Sequence, residues 1–185
     1  MLKAAPFLAL GLLTACMQTD FAYHLIDPVS SELRVSTRAD NIEVVSVSLP
    51  LYASLEEIGV AAGDGAVRFD EQNLWADDPE RALSLSLARH MTEITGGVAA
   101  VEPWPLTSVP DARLTVQVER VIARPGGTVE FSGVYVLSPV AEEFADRAEQ
   151  FSFAVPMVQP GFGGVADAHG QAMLVLAEQV ARQLP

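Results

Sequence analysis

The side chains best able to do chemistry in this sequence are few and dispersed. Three histidines, His24, His90 and His169, could ligate a metal or act as bases. None has a second ligand at the helical spacing that zinc sites use, so a surface or satisfied structural role is expected for each. Three acidic pairs, Glu56-Glu57, Asp77-Asp78 and Glu142-Glu143, could share a proton in general acid–base work. Asp77-Asp78 stands before a proline and a helical pattern, where capping explains it, and the other two pairs read as solvated charge. The stretch PGFGGVADAHG at 160–170 comes nearest to a phosphate-binding loop. It precedes the last helix instead of opening a βαβ unit and lacks the third glycine of the dinucleotide fingerprint, so a flexible connection is expected there. There is no Gly-x-Ser-x-Gly elbow, His-Glu-x-x-His or P-loop. An envelope hydrolase would need a clustered nucleophile and base that the chain does not display. No catalytic residue, metal or cofactor is expected.

The single cysteine, Cys16, offers chemistry of another kind. Lys3 precedes an apolar run from Ala4 to Leu13, and the small pair Thr14-Ala15 stands directly before the thiol; this order is that of a secretory signal peptide. The run is too short for a ~30 Å hydrocarbon core, which takes about 20 helical residues. Leu13-Thr14-Ala15-Cys16 resembles the bacterial lipobox, which implies removal of residues 1–15 and a covalent lipid, palmitate among its acyl chains, on Cys16. The alternative is a secreted protein whose signal peptide merely ends near a cysteine. Met17, in place of an aspartate, resembles the pattern that sorts lipoproteins to the outer membrane. Residues 16–20 would be a short lipidated tether. At no more than ~3.6 Å per residue, it would hold a domain of residues 21–185 within about 20 Å of the bilayer. With Cys16 acylated no thiol remains for a disulfide.

Removing 15 of the 185 residues leaves 170, a length suited to one domain with a sizeable core. The formal charge of −13 becomes −14 with the loss of Lys3, the sole lysine. An acidic chain without a basic cluster repels phosphate backbones, so no nucleic-acid partner is expected, and membrane association should come from acyl chains.

The elements that position these residues can be read from periodicity. FAYHLI reads as a strand with Phe21, Tyr23 and Leu25 on one face. NIEVVSVSLPLY at 41–52 is a strand in which Val45, Val47 and Leu49 alternate with Ser46 and Ser48 until Pro50 ends it. A turn at Gly63-Asp64-Gly65 leads to a strand around Ala66 to Phe69. The clearest helix starts at Asp78 as N-cap with Pro79 first, carries Leu83, Leu87, Met91 and Ile94 on one stripe, and ends at Gly96-Gly97. The clearest hairpin pairs Leu114, Val116 and Val118 with Val129, Phe131 and Tyr135 across Pro125-Gly126-Gly127. Residues 140–148 read as loop before a strand at 149–155. Met173, Leu176, Val180 and Leu184 mark a terminal helix. The order β-β-β-α-β-β-β-α predicts an α+β fold: a mostly antiparallel sheet with two amphipathic helices on one face, in a single domain.

Trp75 and Trp104 could be plain core residues. In context, Tyr23-His24-Leu25, the segment Val45 to Tyr52 ending Leu49-Pro50-Leu51-Tyr52, Asn73-Leu74-Trp75-Ala76 and the hairpin from Leu114 to Leu137 resemble the ABC-type transport auxiliary lipoprotein family, which includes the C subunit of the paraquat-inducible system. The resemblance covers roughly 21–155. It departs from the family pattern at GVYVLSP, where members often carry another tryptophan, and in the long acidic VAEEFADRAEQ. The resemblance implies a non-enzymatic periplasmic subunit of a lipid transport system at the outer membrane. Its partners would be a mammalian-cell-entry (MCE) domain protein, inner-membrane transporter subunits and further copies of itself. Tyr52 and Trp75 are the candidate partner-binding residues. The alternative is an independent lipid-binding or assembly lipoprotein that holds an acyl chain between helices and sheet.

Overall fold

The computed structural model describes residues 20–140 and 145–185. Cys16, residues 1–15, the tether up to Thr19 and the pair Glu142-Glu143 lie outside the described residues. The elements in order are β1 (Ala22–His24), β2 (Asn41–Ser48), a 3-10 turn (Leu51–Ala53), β3 (Glu57–Ala61), β4 (Val67–Trp75), α1 (Pro79–Thr95), β5 (Val98–Val101), β6 (Ala112–Arg124), β7 (Thr128–Pro139), β8 (Arg147–Pro156) and α2 (Gly161–Ala181). The α+β prediction holds, with an open mixed sheet of eight strands. β3 and β5 add to the expected order; at five and four residues they are too short for periodicity to reveal. The two longest ladders, β6 with β7 and β7 with β8, are antiparallel, while β2 pairs in parallel with both β5 and β6.

The sheet forks at β6. One edge of β6 pairs with β7 along its whole length, from Ala112↔Pro139 to Arg124↔Thr128. The other edge is shared: β2 takes Ala112 to Gln117, and β3 joins at Val60↔Ala123 and leads outward to β4 and β1. Two bulges set the phase of these strands. At Glu119 in β6 the ladder slips, so Leu114, Val116 and Val118 point inward before the slip and Val121 and Ala123 after it. At Val45 in β2 a second slip makes Ile42, Val44 and Val47 the buried apolar residues. The expected Val45-Val47-Leu49 face is therefore shifted, since a bulge is a one-residue change of phase that alternation cannot show. Gly133 lies opposite the β6 bulge, where an added Cβ would collide with the Gln117 carbonyl oxygen.

Both helices cover one face of the sheet. α1 packs on β2 and β5, α2 on β7, β8 and β1, and the helices pack on each other. α1 begins as its sequence dictates: Asp78 Oδ1 accepts the Arg81 N–H at 2.7 Å, Pro79 stands first, and Gly96 closes the last turn with φ of 74°. Leu83, Leu87, Met91 and Ile94 are fully buried, each contributing roughly 1.5–3 kcal/mol. α2 starts at Gly161, so the glycine-rich segment expected as a flexible connection is helix. Its small residues fit because Gly164 and Gly170 lie against backbone carbonyls, of Gln159 and Asp27 respectively. Tertiary contact here overrides weak helix propensity.

Residues 25–39 run as a strap along the two helices. Ile26, Leu33 and Val35 pack on the core, Ser31 donates to Glu178 at 3.0 Å, its N–H donates to Glu93, and the Val35 N–H donates to the Ile94 carbonyl. Gly170 on α2 admits the strap, because a Cβ would meet the Asp27 oxygen.

Candidate functional site

The structure gathers the motif residues around the fork in the sheet. β2 ends at Ser48, Pro50 turns the chain, and the 3-10 turn carries Tyr52 over the stretch of β6 that neither β2 nor β3 reaches. The Tyr52 hydroxyl accepts the Val121 N–H and donates to the Val121 carbonyl, each at 3.1 Å. One side chain thus replaces a missing ladder partner. Nearby, the Val47 N–H donates to Ser84 Oγ at 2.9 Å and the Leu49 N–H to Glu80 at 2.7 Å, so the first two turns of α1 satisfy the frayed end of β2.

Tyr23-His24-Leu25 and Asn73-Leu74-Trp75 are brought side by side in the β1–β4 ladder, with Tyr23↔Leu74 and His24↔Trp75. His24 Nε2 bonds Asn73 Oδ1 at 2.9 Å, and Asn73 Nδ2 donates to Asp70 at 3.0 Å. The Asn73 side chain, helped by the Gln72 N–H, holds the Asp70 carboxyl below the usual range. This chain of bonds fixes an edge strand; it contains no nucleophile.

Trp75 is 6% exposed and stands edge-on to His169, with centroids 4.9 Å apart; Phe131 meets the same imidazole from another side at 5.1 Å. As folded, Trp75 is a packing residue and offers almost no surface to a partner. Tyr52, half-buried, has its hydroxyl committed to Val121; beside it, Leu51 is 80% exposed. Tyr52, Trp75 and His169 line one narrow cleft of about 20 Å³, space for a single water.

His169 was expected only as a surface or structural residue, and the structure makes it structural. Its Nδ1 donates to the Val165 carbonyl at 2.7 Å, and burial lowers its pKa to about 4 against that bond. His90 is also buried, with neither ring nitrogen hydrogen-bonded, and desolvation lowers its pKa despite the Glu93 carboxylate. Helical periodicity did signal His90, four residues from Ser86 and Ile94 on the buried side of α1. His169 likewise lies four residues before Met173 and seven before Leu176, on the stripe that α2 buries, although the small residues around α2 make its inward face less plain.

A larger apolar groove, about 330 Å³, opens between the start of α2 and the ends of β3 and the β6–β7 hairpin, lined by Val60, Ala61, Met157, Phe162 and Val165 with Arg124 at its border. No local pattern signals it, since its walls come from four separate segments. Arg124 is committed to Glu130 at 2.7 Å. Among the described residues no three His, Cys, Asp or Glu side chains gather to hold a metal, and no helix is long and apolar enough to cross a membrane.

Two crystal structures share this fold. An uncharacterised protein superposes with a TM-score of 0.71 at 19% identity, over 89% of this chain and 98% of its own. The protein XCC0632 from Xanthomonas campestris gives 0.60 at 19% identity, over 86% of this chain and 91% of its own. Curated proteins give no match. A family match spans nearly all of the described domain: residues 23–181, from the edge strand that carries Tyr23 to the last turn of α2, fit the ABC-type transport auxiliary lipoprotein component. This chain belongs to that family.

Proposed function

We propose that the chain is held by an acylated Cys16 on the periplasmic face of the outer membrane, where it serves an MCE-type lipid transport system as a non-catalytic auxiliary subunit that docks the conduit. Kinship with the C subunit of the paraquat-inducible system is part of this reading. The observation that carries it is the family match over residues 23–181, which starts seven residues after the cysteine of the lipobox-like segment. The absence of a clustered nucleophile and base in the sequence agrees with a role in binding. The partner, an MCE-domain protein with its inner-membrane transporter subunits, is met at the surface around the 3-10 turn, where Leu51 is outermost and Tyr52 and Trp75 set its shape. The covalent lipid on Cys16 is the only non-protein group required.

The apolar groove favours a second reading, an independent lipid carrier. Its walls of Val60, Met157, Phe162 and Val165, with little polar surface, suit an acyl chain lying between helix and sheet.

The test is a pull-down of the full-length acylated protein from detergent-solubilised envelopes, with mass spectrometry of bound proteins and lipids. Recovery of an MCE-domain protein, lost on Leu51→Asp, is the expected result. Phospholipid at near one per chain without a protein partner would overturn docking in favour of the carrier.

A further inference from the structure

The alternation places Phe21, Tyr23 and Leu25 on one face of the first strand, and the fold turns that face outward: the three are 54%, 60% and 61% exposed. Their neighbours go inward, His24 against Phe162 and Ile26 onto the main core. β1 pairs with β4 alone, so the apolar row lies along an open edge of the sheet. Leu85 of α1, also exposed, borders the same cleft as Leu25. A regular apolar row that covers nothing among the described residues is a contact surface.

We propose that Phe21, Tyr23 and Leu25 form a foot seated in the interface of the bilayer that holds the acyl chains. The inference rests on the acylation of Cys16 proposed above. Only residues 17–20 separate Cys16 from Phe21, and at ~3.6 Å per residue they leave Phe21 no further than about 18 Å from the backbone of the anchored cysteine. The row is the first part of the fold that the tether can bring to the membrane. Aromatic side chains with one apolar and one polar end, such as Tyr23, suit the headgroup level. Asp20 stands directly before the row, and Asp27 and Asp77 outnumber Arg89 in the cleft that Leu25 lines, so the contact is apolar and its surface zwitterionic. Acyl chains alone leave a domain free to rotate about its tether. A foot fixes which face looks away from the membrane, toward a partner.

The test compares acylated Tyr23→Trp with the acylated parent, both full length, in phosphatidylcholine vesicles with and without bromine on the lipid tails. Trp75 and Trp104 supply the background in both proteins. The added emission of Tyr23→Trp is expected to be mostly lost on brominated vesicles and recovered when Phe21→Ser and Leu25→Ser are added. Full emission from Tyr23→Trp that co-floats with the vesicles would overturn the foot and leave acylation standing. Quenching that strengthens when phosphatidylglycerol replaces part of the phosphatidylcholine would also overturn it, since the contact would then be electrostatic. A Cys16→Ala protein that floats like the parent, or a mature chain whose mass carries no acyl groups, would overturn the acylation and the foot together.

Discussion

The two edges of β6 solve the same problem by different means. On the β7 side the backbone does everything: twelve register pairs run from Ala112 to Arg124 with one slip at the bulge. On the other side β2 leaves after Gln117 and β3 arrives only at Ala123, and the gap is closed by single side chains, Tyr52 on Val121 and, at the end of β2, Ser84 and Glu80. A continuous ladder spreads its stability over many equivalent bonds and tolerates change at any exposed position. A patched edge concentrates its hydrogen bonding in a few residues, each of which leaves buried backbone groups unpaired when removed. Of the segments that carry the family resemblance, Val45 to Tyr52 supplies the patch at Val121, whereas the hairpin from Leu114 to Leu137 is the continuous ladder.

The comparison breaks most completely at the point where the two edges meet. Gly133→Val would drive a side chain into the Gln117 carbonyl at the bulge, and neither backbone can move without opening a ladder. The expected cost is about 3 kcal/mol or more, read as a fall in the denaturant midpoint. A midpoint like that of the parent would show that the long ladder absorbs strain better than its close packing suggests.

Acid tests the patched side through His169, which lies beneath Tyr52 and Trp75. A histidine with a pKa of about 4 when folded and about 6.5 when unfolded has no effect on stability above pH 6.5, where both states are neutral. Below it the unfolded chain takes up the proton first, so stability falls as the pH drops from 6.5 toward 4, by roughly 3 kcal/mol in all. His90, lowered in the same direction, adds to the loss. Thermal melts of the parent and His169→Gln between pH 7 and 4 check this; the variant should lose a visible part of the pH dependence.

Tyr52→Phe sharpens the comparison further. It keeps the ring and removes both bonds to Val121, for an expected loss of about 1–3 kcal/mol. Amide exchange should accelerate at Val121 and in β3, and stay at parental rates along β7 and β8. Acceleration spread evenly over β6, β7 and β8 would mean that the two edges are one cooperative unit. The smallest effect belongs to the continuous edge: Arg124→Gln removes the exposed pair with Glu130, and the melting temperature should not change measurably.

How much of this was legible in the sequence follows the same division. The α1 stripe Leu83, Leu87, Met91 and Ile94, its Asp78 cap and the β6–β7 hairpin were readable, because local periodicity and capping chemistry repeat over many residues and fix which side is buried. The motif Leu49-Pro50-Leu51-Tyr52 stands out in the sequence without its reason, since what Tyr52 satisfies is a gap between strands far apart in the chain. Trp75 was singled out as a partner contact and is seated against His169 on α2, a neighbour more than ninety residues away.

By itself the sequence determined the α+β class, the two helices, the central hairpin, the absence of clustered catalytic motifs and the family resemblance, all carried by short-range pattern and composition. Only the tertiary structure decided the fork at β6, the two bulges, the strap over α1 and α2, the helical fate of the glycine-rich segment and the outward turn of Phe21, Tyr23 and Leu25. The physical reason is that alternation along a strand states that one side is apolar, but which side meets the core is set by what packs over the sheet, and at β1 helix α2 lies over the side that carries His24, leaving the Phe21, Tyr23 and Leu25 side uncovered among the described residues.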